Sequence, residues 1–178
     1  MNYLIIGGSK SGKSEVGEKI AISLNKNKVV YVATMKPYDK EDEERIKKHI
    51  ENRAGFNFFT LEKQSNLHEL INEIKDDDTV LIDSITSLLT NEMFIESDII
   101  KNPSINILMG LNQIMSKVKN IVIVSDYIFN DAIEYDEITE DFKKELATIN
   151  IELANICDNV IECSFGNIRY HKCKEKII

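Results

Sequence analysis

Gly7-Gly8-Ser9-Lys10-Ser11-Gly12-Lys13-Ser14 is the stretch whose reading decides the fold of this 178-residue chain. It is a glycine, four further residues, then Gly-Lys-Ser, set between the apolar run Tyr3-Leu4-Ile5-Ile6 and a helix-like run from Glu15 to Leu24. Strand, loop and helix in that order are the context in which this pattern cradles phosphate. Successive backbone N–H groups of the loop, with the helix N-terminus behind them, face the anion. Lys13 is then expected at the β- and γ-phosphates, and the Ser14 hydroxyl on Mg2+. The stretch reads as a site for a nucleoside triphosphate.

Outward from the loop, apolar β-branched runs alternate with helical patterns, which predicts parallel strands joined by crossover helices. Tyr3–Ile6 is the first strand, and Glu15–Leu24 a helix with Val16, Ile20 and Leu24 on one face. Lys28–Ala33 is a second strand, and Pro37 marks the loop after it, since proline does not sit inside a central strand. Asp39–Arg53 reads as a highly charged helix ending near Gly55, Phe56–Leu61 as a strand and Leu67–Ile74 as a short helix. Thr79–Asp83 is a strand, Ile105–Val118 a helix, Asn120–Ser125 a buried strand and Asp136–Ile156 a long helix. Val160–Cys163 and Ile168–His171 read as a hairpin around Gly166-Asn167. No repeat and no linker divides the chain, so residues 1–178 are expected to form one domain.

Composition narrows the classes further. A net charge of −8 argues against a general nucleic-acid binder. No run is long and apolar enough to insert in a membrane, and the short N-terminal apolar run leads straight into the loop, as a first strand and not a signal peptide. Cys157, Cys163 and Cys173 are odd in number and lack metal-type spacing, which fits reduced thiols in a cytoplasmic protein.

Two further segments carry chemistry. Val80-Leu81-Ile82-Asp83 is a strand ending in an acid, the place where a phosphate-loop protein keeps a carboxylate for Mg2+ or its water shell. The same residues also fit a helix N-cap at Asp83 or Ser84. In the charged helix, Arg45, His49 and Arg53 are four residues apart and share a face, with Lys47 and Lys48 beside the histidine. One reading is a solvated helix with a Glu41–Arg45 ion pair. The other is a histidine kept neutral by surrounding cations, able to attack phosphorus while Arg45 and Arg53 hold phosphate oxygens.

These residues resemble a known family, the bifunctional adenosylcobinamide kinase/adenosylcobinamide-phosphate guanylyltransferases of cobalamin nucleotide-loop assembly. The likeness rests on the phosphate loop, Tyr31-Val32-Ala33-Thr34, Arg45-Ile46-Lys47-Lys48-His49 through Arg53, Thr60-Leu61-Glu62, and Leu81-Ile82-Asp83-Ser84-Ile85-Thr86 with Leu89-Thr90-Asn91. It implies an α/β phosphate-loop NTPase of RecA-like three-layer type, with a mostly parallel sheet and a C-terminal hairpin. It implies phosphoryl transfer from ATP or GTP to adenosylcobinamide, then GMP transfer from GTP through a guanylylated His49, with Lys13 as the second catalytic residue. Nucleotide contacts are implied at Gly7, Gly8, Ser9, Lys10, Ser11, Gly12, Lys13 and Ser14, at Ala33, Thr34 and Met35, at Ile50, Glu51, Asn52 and Arg53, and at Glu62 and Asp83. Ser14 and Asp83 are the implied Mg2+ ligands, corrinoid and nucleotide the small-molecule substrates, and a homo-oligomer the implied assembly. Without the resemblance, Glu62 reads as a solvent-facing strand-end acid.

The second half departs from the family. A strand ending in Val-Ser is there usually followed by Asn-Glu and a glycine-containing loop, whereas this chain has Val124-Ser125-Asp126-Tyr127-Ile128-Phe129-Asn130-Asp131. Tyr127 stands where the family keeps the acid, and Phe58 where it usually has Trp. Phe142, Lys143, Asn150, Ala154 and Asp158 keep the family pattern. This loop motivates one other reading, a guanylyltransferase without kinase activity. Two more stay open beside it, a different small-molecule kinase and a nucleotide-dependent switch with Glu92–Asn102 as its partner surface, a segment that fits a lid or an oligomer contact equally.

Overall fold

The computed structural model describes residues 1–37, 44, 47, 51, 53, 55–129 and 131–178. Its strands are β1 (Asn2–Gly7), β2 (Val29–Ala33), β3 (Phe58–Glu62), β4 (Thr79–Asp83), β5 (Phe94–Ile95), β6 (Asp98–Ile99), β7 (Asn120–Asp126), β8 (Asn159–Ser164) and β9 (Asn167–Lys172). The helices are α1 (Lys13–Leu24), α2 (Ile85–Met93), α3 (Pro103–Lys117) and α4 (Glu137–Ile156), with a 3-10 turn at Leu67–Asn72. One seven-stranded sheet runs β3-β2-β4-β7-β1-β8-β9, parallel throughout except for the β8–β9 hairpin. β5 and β6 form a small ribbon of their own.

The central strands are apolar without interruption because both of their faces are covered. Along β7, Ile121 and Ile123 join a core cluster with Leu88 of α2, Ile107 of α3 and Leu153 of α4, while Val122 and Val124 join a second cluster with Ile20 and Ala21 of α1. Alternate residues of one strand therefore feed two layers, and the three-layer α/β architecture expected from the sequence is the one observed.

All six parallel strands end at the same sheet edge, where ligands of such sheets bind. In register there, Gly7 pairs with Asp126, and Ala33 with both Glu62 and Asp83. Ala33, Glu62 and Asp83 thus lie on one register line, and Gly7 and Asp126 two residues further along, since Asp83 pairs with Val124.

Some boundaries differ from the sequence reading. α3 begins at Pro103 and not Ile105, because proline's fixed φ suits the first helical position. The C-terminal turn is Phe165-Gly166, both at positive φ (52 and 74), and Asn167 already pairs with Ser164 as the first residue of β9. The segment 92–102 is the end of α2 plus the β5–β6 ribbon. The charged helix falls mostly outside the described residues, of which Glu44, Lys47, Glu51 and Arg53 are helical. All three cysteines are free thiols, Cys157 and Cys163 buried and Cys173 exposed.

Candidate active site

The loop after β1 owes its path to two glycines. A Cβ on Gly7 would stand 2.4 Å from the Ser11 hydroxyl oxygen and 2.7 Å from the Cys163 carbonyl oxygen, so no larger residue fits. Gly12 holds φ at 89, a left-handed conformation that other residues adopt at a cost. Gly12 also caps α1 without any side-chain hydrogen bond to the helix N-terminus. The amides of the first turn are therefore left for an anion. Ser11 buries a hydroxyl that has no partner among the described residues.

Beside the loop, a cavity of about 610 Å³ opens at the sheet edge. Lys13 and Ser14 of α1 line it together with Ala33, Met35, Glu62 and Asp83. Lys13 is 8% exposed. Its ammonium donates to the Gly8 carbonyl at 3.2 Å and lies 2.6 Å from Oδ1 of Asp126, which also lines the cavity. Asp83 accepts a hydrogen bond from the Tyr31 hydroxyl at 3.1 Å. Burial, reinforced by the Asp83 charge, raises the Tyr31 phenol well above its ordinary range, so it stays a donor.

Hydrogen bonds between neighbouring loops fix these strand ends. The Thr34 hydroxyl donates to the Ser84 carbonyl and accepts from the Ser84 amide, each at 2.7 Å. Asn91 of α2 donates to the carbonyls of Thr34 (2.8 Å) and Gln64 (3.1 Å). The Thr86 hydroxyl accepts from the Asp126 amide at 3.2 Å. Ser84 caps α2 through the Ser87 amide, so the N-cap reading of this segment holds alongside Asp83's place on the cavity. Much of the family-specific segment Asp83–Asn91 thus acts as scaffolding.

A further wall comes from the described residues of the charged segment. Lys47, Glu51 and Arg53 line the cavity. The Arg53 guanidinium lies 3.6 Å from the Tyr31 ring centroid and 3.2 Å from the Glu18 carboxylate. Desolvation raises the Glu18 pKa, and the hydrogen bond and charge of Arg53 oppose that rise. Arg53 therefore spends its charge on packing this wall against α1 and β2.

Eight of the expected site residues meet at the cavity: Lys13, Ser14, Ala33, Met35, Glu51, Arg53, Glu62 and Asp83. Thr34 is fully buried behind it. Gly7, Gly8, Ser9, Lys10, Ser11 and Gly12 form the loop alongside without lining the cavity, and Ser9 and Lys10 are exposed. His49, Arg45, Ile50 and Asn52 lie outside the described residues. Tyr31 and Asp126 were not singled out from sequence, although Ile123-Val124-Ser125-Asp126 repeats the strand-then-acid signal that marked Asp83. The chemistry on offer for a metal is hard oxygen from Ser14 and Asp83. Among the described residues no group of three His, Cys, Asp or Glu makes a closed metal cage. Such a set fits Mg2+, which takes few protein ligands and shares the rest with water and phosphate.

The family profile of cobinamide kinase/cobinamide phosphate guanyltransferase matches residues 3–169. The chain belongs to this family. No curated protein sequence gives a significant match. Among solved structures, a protein of Pyrococcus horikoshii OT3 is similar at TM-score 0.57 and 12% identity, over 98% of this chain and 87% of that one. A solved ATPase domain is similar at TM-score 0.53 and 14% identity, over 90% of this chain and 68% of that one. At such identities the likeness concerns the fold, and it agrees with the α/β phosphate-loop architecture. For a cobinamide kinase/guanyltransferase family member, a place in cobalamin biosynthesis and the use of nucleotide with a corrinoid follow. No described helix is long and apolar enough to cross a membrane.

Proposed function

We propose that the protein carries out both family reactions at this cavity. In the first, the hydroxyl of adenosylcobinamide attacks the γ-phosphorus of ATP or GTP, the nucleoside diphosphate leaves, and the hydroxyl proton passes to solvent. In the second, a ring nitrogen of His49 attacks the α-phosphorus of GTP and pyrophosphate leaves. The phosphate of adenosylcobinamide phosphate then displaces the histidine and takes the GMP. A covalent intermediate divides one difficult transfer into two.

The observation that carries this reading is the meeting of the phosphate loop, the strand-end acids and the charged helix on one cavity. Lys47 and Glu51, which flank His49 in sequence, line the same space as Lys13, Ser14 and Asp83. Ser14 and Asp83 would hold Mg2+, whose charge offsets that developing on the transferred group. Lys13 supplies a second cation, and the amides at the start of α1 supply fixed dipoles. Glu62 is assigned to the ribose or base, Ala33, Met35, Glu51 and Arg53 to the cavity walls. A cytoplasmic homo-oligomer is part of the same reading. The exposed Phe94, Ile95 and Ile99 of the β5–β6 ribbon support a subunit contact.

Separate assays test the two steps. Mass spectrometry of adenosylcobinamide after incubation with Mg2+ and ATP or GTP should show phosphate added. Adenosylcobinamide phosphate with GTP should yield the GDP-linked product and pyrophosphate. Absence of either the phosphorylation or the GMP transfer would refute the two-step assignment.

A further inference from the structure

Asp126 stands where the nucleotide's charge is expected. Its carboxylate is 2.6 Å from the Lys13 ammonium, which keeps only 9% of its side chain exposed. A cation this buried is stable only with an anion and hydrogen-bond acceptors close by, and the chain supplies both in Asp126 and the Gly8 carbonyl. The backbone of Asp126 is held on three sides. Its amide donates to Thr86, its carbonyl accepts from Asn150 at 3.4 Å, and the next amide, Tyr127, donates to the Gly7 carbonyl at 3.0 Å. The side chain is less confined, at 24% exposed, and it opens onto the cavity.

We propose that Asp126 is an internal counter-anion for Lys13, which any ligand must displace if its phosphates reach that ammonium. The inference rests on the nucleotide-site reading above. It makes Asp126 a residue that sets affinity and selects ligands. Carboxylate and phosphate cannot share one ammonium without repelling each other, so each such ligand loses part of its binding in moving Asp126 aside. GTP recovers the loss through its other phosphates and the loop amides. Inorganic phosphate and pyrophosphate have less to recover it with and are kept from filling the empty site. Pyrophosphate, the leaving group of the proposed GMP transfer, is expelled by the same competition. A ligand with one phosphate on the ribose, such as GMP, does not extend to Lys13 and is indifferent to Asp126.

Isothermal titration of the full-length protein in Mg2+ with GTP, pyrophosphate and GMP tests this. Asp126→Asn keeps shape and removes charge. It should tighten GTP and pyrophosphate by about tenfold, the usual scale for a charge-assisted hydrogen bond, and leave GMP unchanged. Asp126→Glu keeps the charge and should bind like the wild type. Asp126→Ser repeats the test should the asparagine variant fail to fold. Weaker or unchanged GTP binding in a folded Asp126→Asn variant would overturn the proposal, as would equal tightening of GMP. If the wild type binds no GTP at all, the nucleotide-site reading itself falls, and this inference with it.

Discussion

The two walls of the cavity are held by different means. On the strand side, Asp83 and Asp126 stand at the ends of β4 and β7, and Lys13 and Ser14 begin α1, so their positions follow from sheet register and from main-chain hydrogen bonds made by Thr34, Thr86 and Asn91. Among the described residues of the helix side, Glu44, Lys47 and Glu51 are exposed and Arg53 is buried, stacked on Tyr31 and paired with Glu18. A side chain on the first wall can change chemistry while the fold stays. On the second, Arg53 is the described side chain that ties the wall to α1 and β2.

The contrast is sharpest at Lys13. Lys13→Ala should lower phosphoryl transfer about a hundred- to a thousandfold, the cost of losing one fixed charge at a transferring group. Its melting temperature should stay near the wild-type value, because the orphaned Asp126 can turn to solvent. Steady-state kinetics beside thermal melts would show both. Arg53→Ala should do the reverse and lower the unfolding free energy by about 3 kcal/mol in urea titration, since Glu18 is left in a pocket that already disfavours its charge. Arg53→Lys should not restore stability, because an ammonium cannot stack flat on Tyr31 while pairing with Glu18.

Tyr31 joins the walls, its ring under Arg53 and its hydroxyl on Asp83. Tyr31→Phe should cost about 1.5 kcal/mol of stability through the lost bond to a carboxylate, with the stacking of Arg53 retained. A drop as large as that of Arg53→Ala would mean that the hydroxyl, and not the ring, holds the helix side. Glu51→Gln and Lys47→Ala touch exposed charges and should shift GTP affinity only about threefold, less in high salt.

The smallest effect lies away from both walls. Burial pushes the Cys157 thiol from an ordinary 9.0 to about 12, so it stays protonated when folded. Thiol reagents at pH 8 should modify exposed Cys173 at once and Cys157 only on unfolding. The stability tied to Cys157 should be whole below about pH 9 and fall away as pH rises toward 12, because only the unfolded thiol ionises over that span.

What the sequence reveals and conceals follows from how local each signal is. Buried parallel strands are plain in runs such as Val80-Leu81-Ile82, because covering on both faces removes every polar position. The phosphate loop is equally local. The Lys13–Asp126 pair is not, since it depends on β7 lying beside β1, which no spacing within either segment states. The role of Arg53 depends in the same way on β2 bringing Tyr31 beneath it. The two-residue strands of the β5–β6 ribbon are too short to leave a period. At the C-terminal turn, Gly166 and Asn167 are both turn formers, and pairing of Asn167 with Ser164 decides for Phe165-Gly166.

The proposed GMP transfer turns on a covalent guanylyl intermediate on His49. It is tested most directly by incubating the protein with Mg2+ and GTP labelled at the α-phosphate, denaturing it, and comparing it with His49→Ala. The account predicts an acid-labile, alkali-stable label on the wild type and none on the variant. An unlabelled wild type that still binds GTP would contradict it.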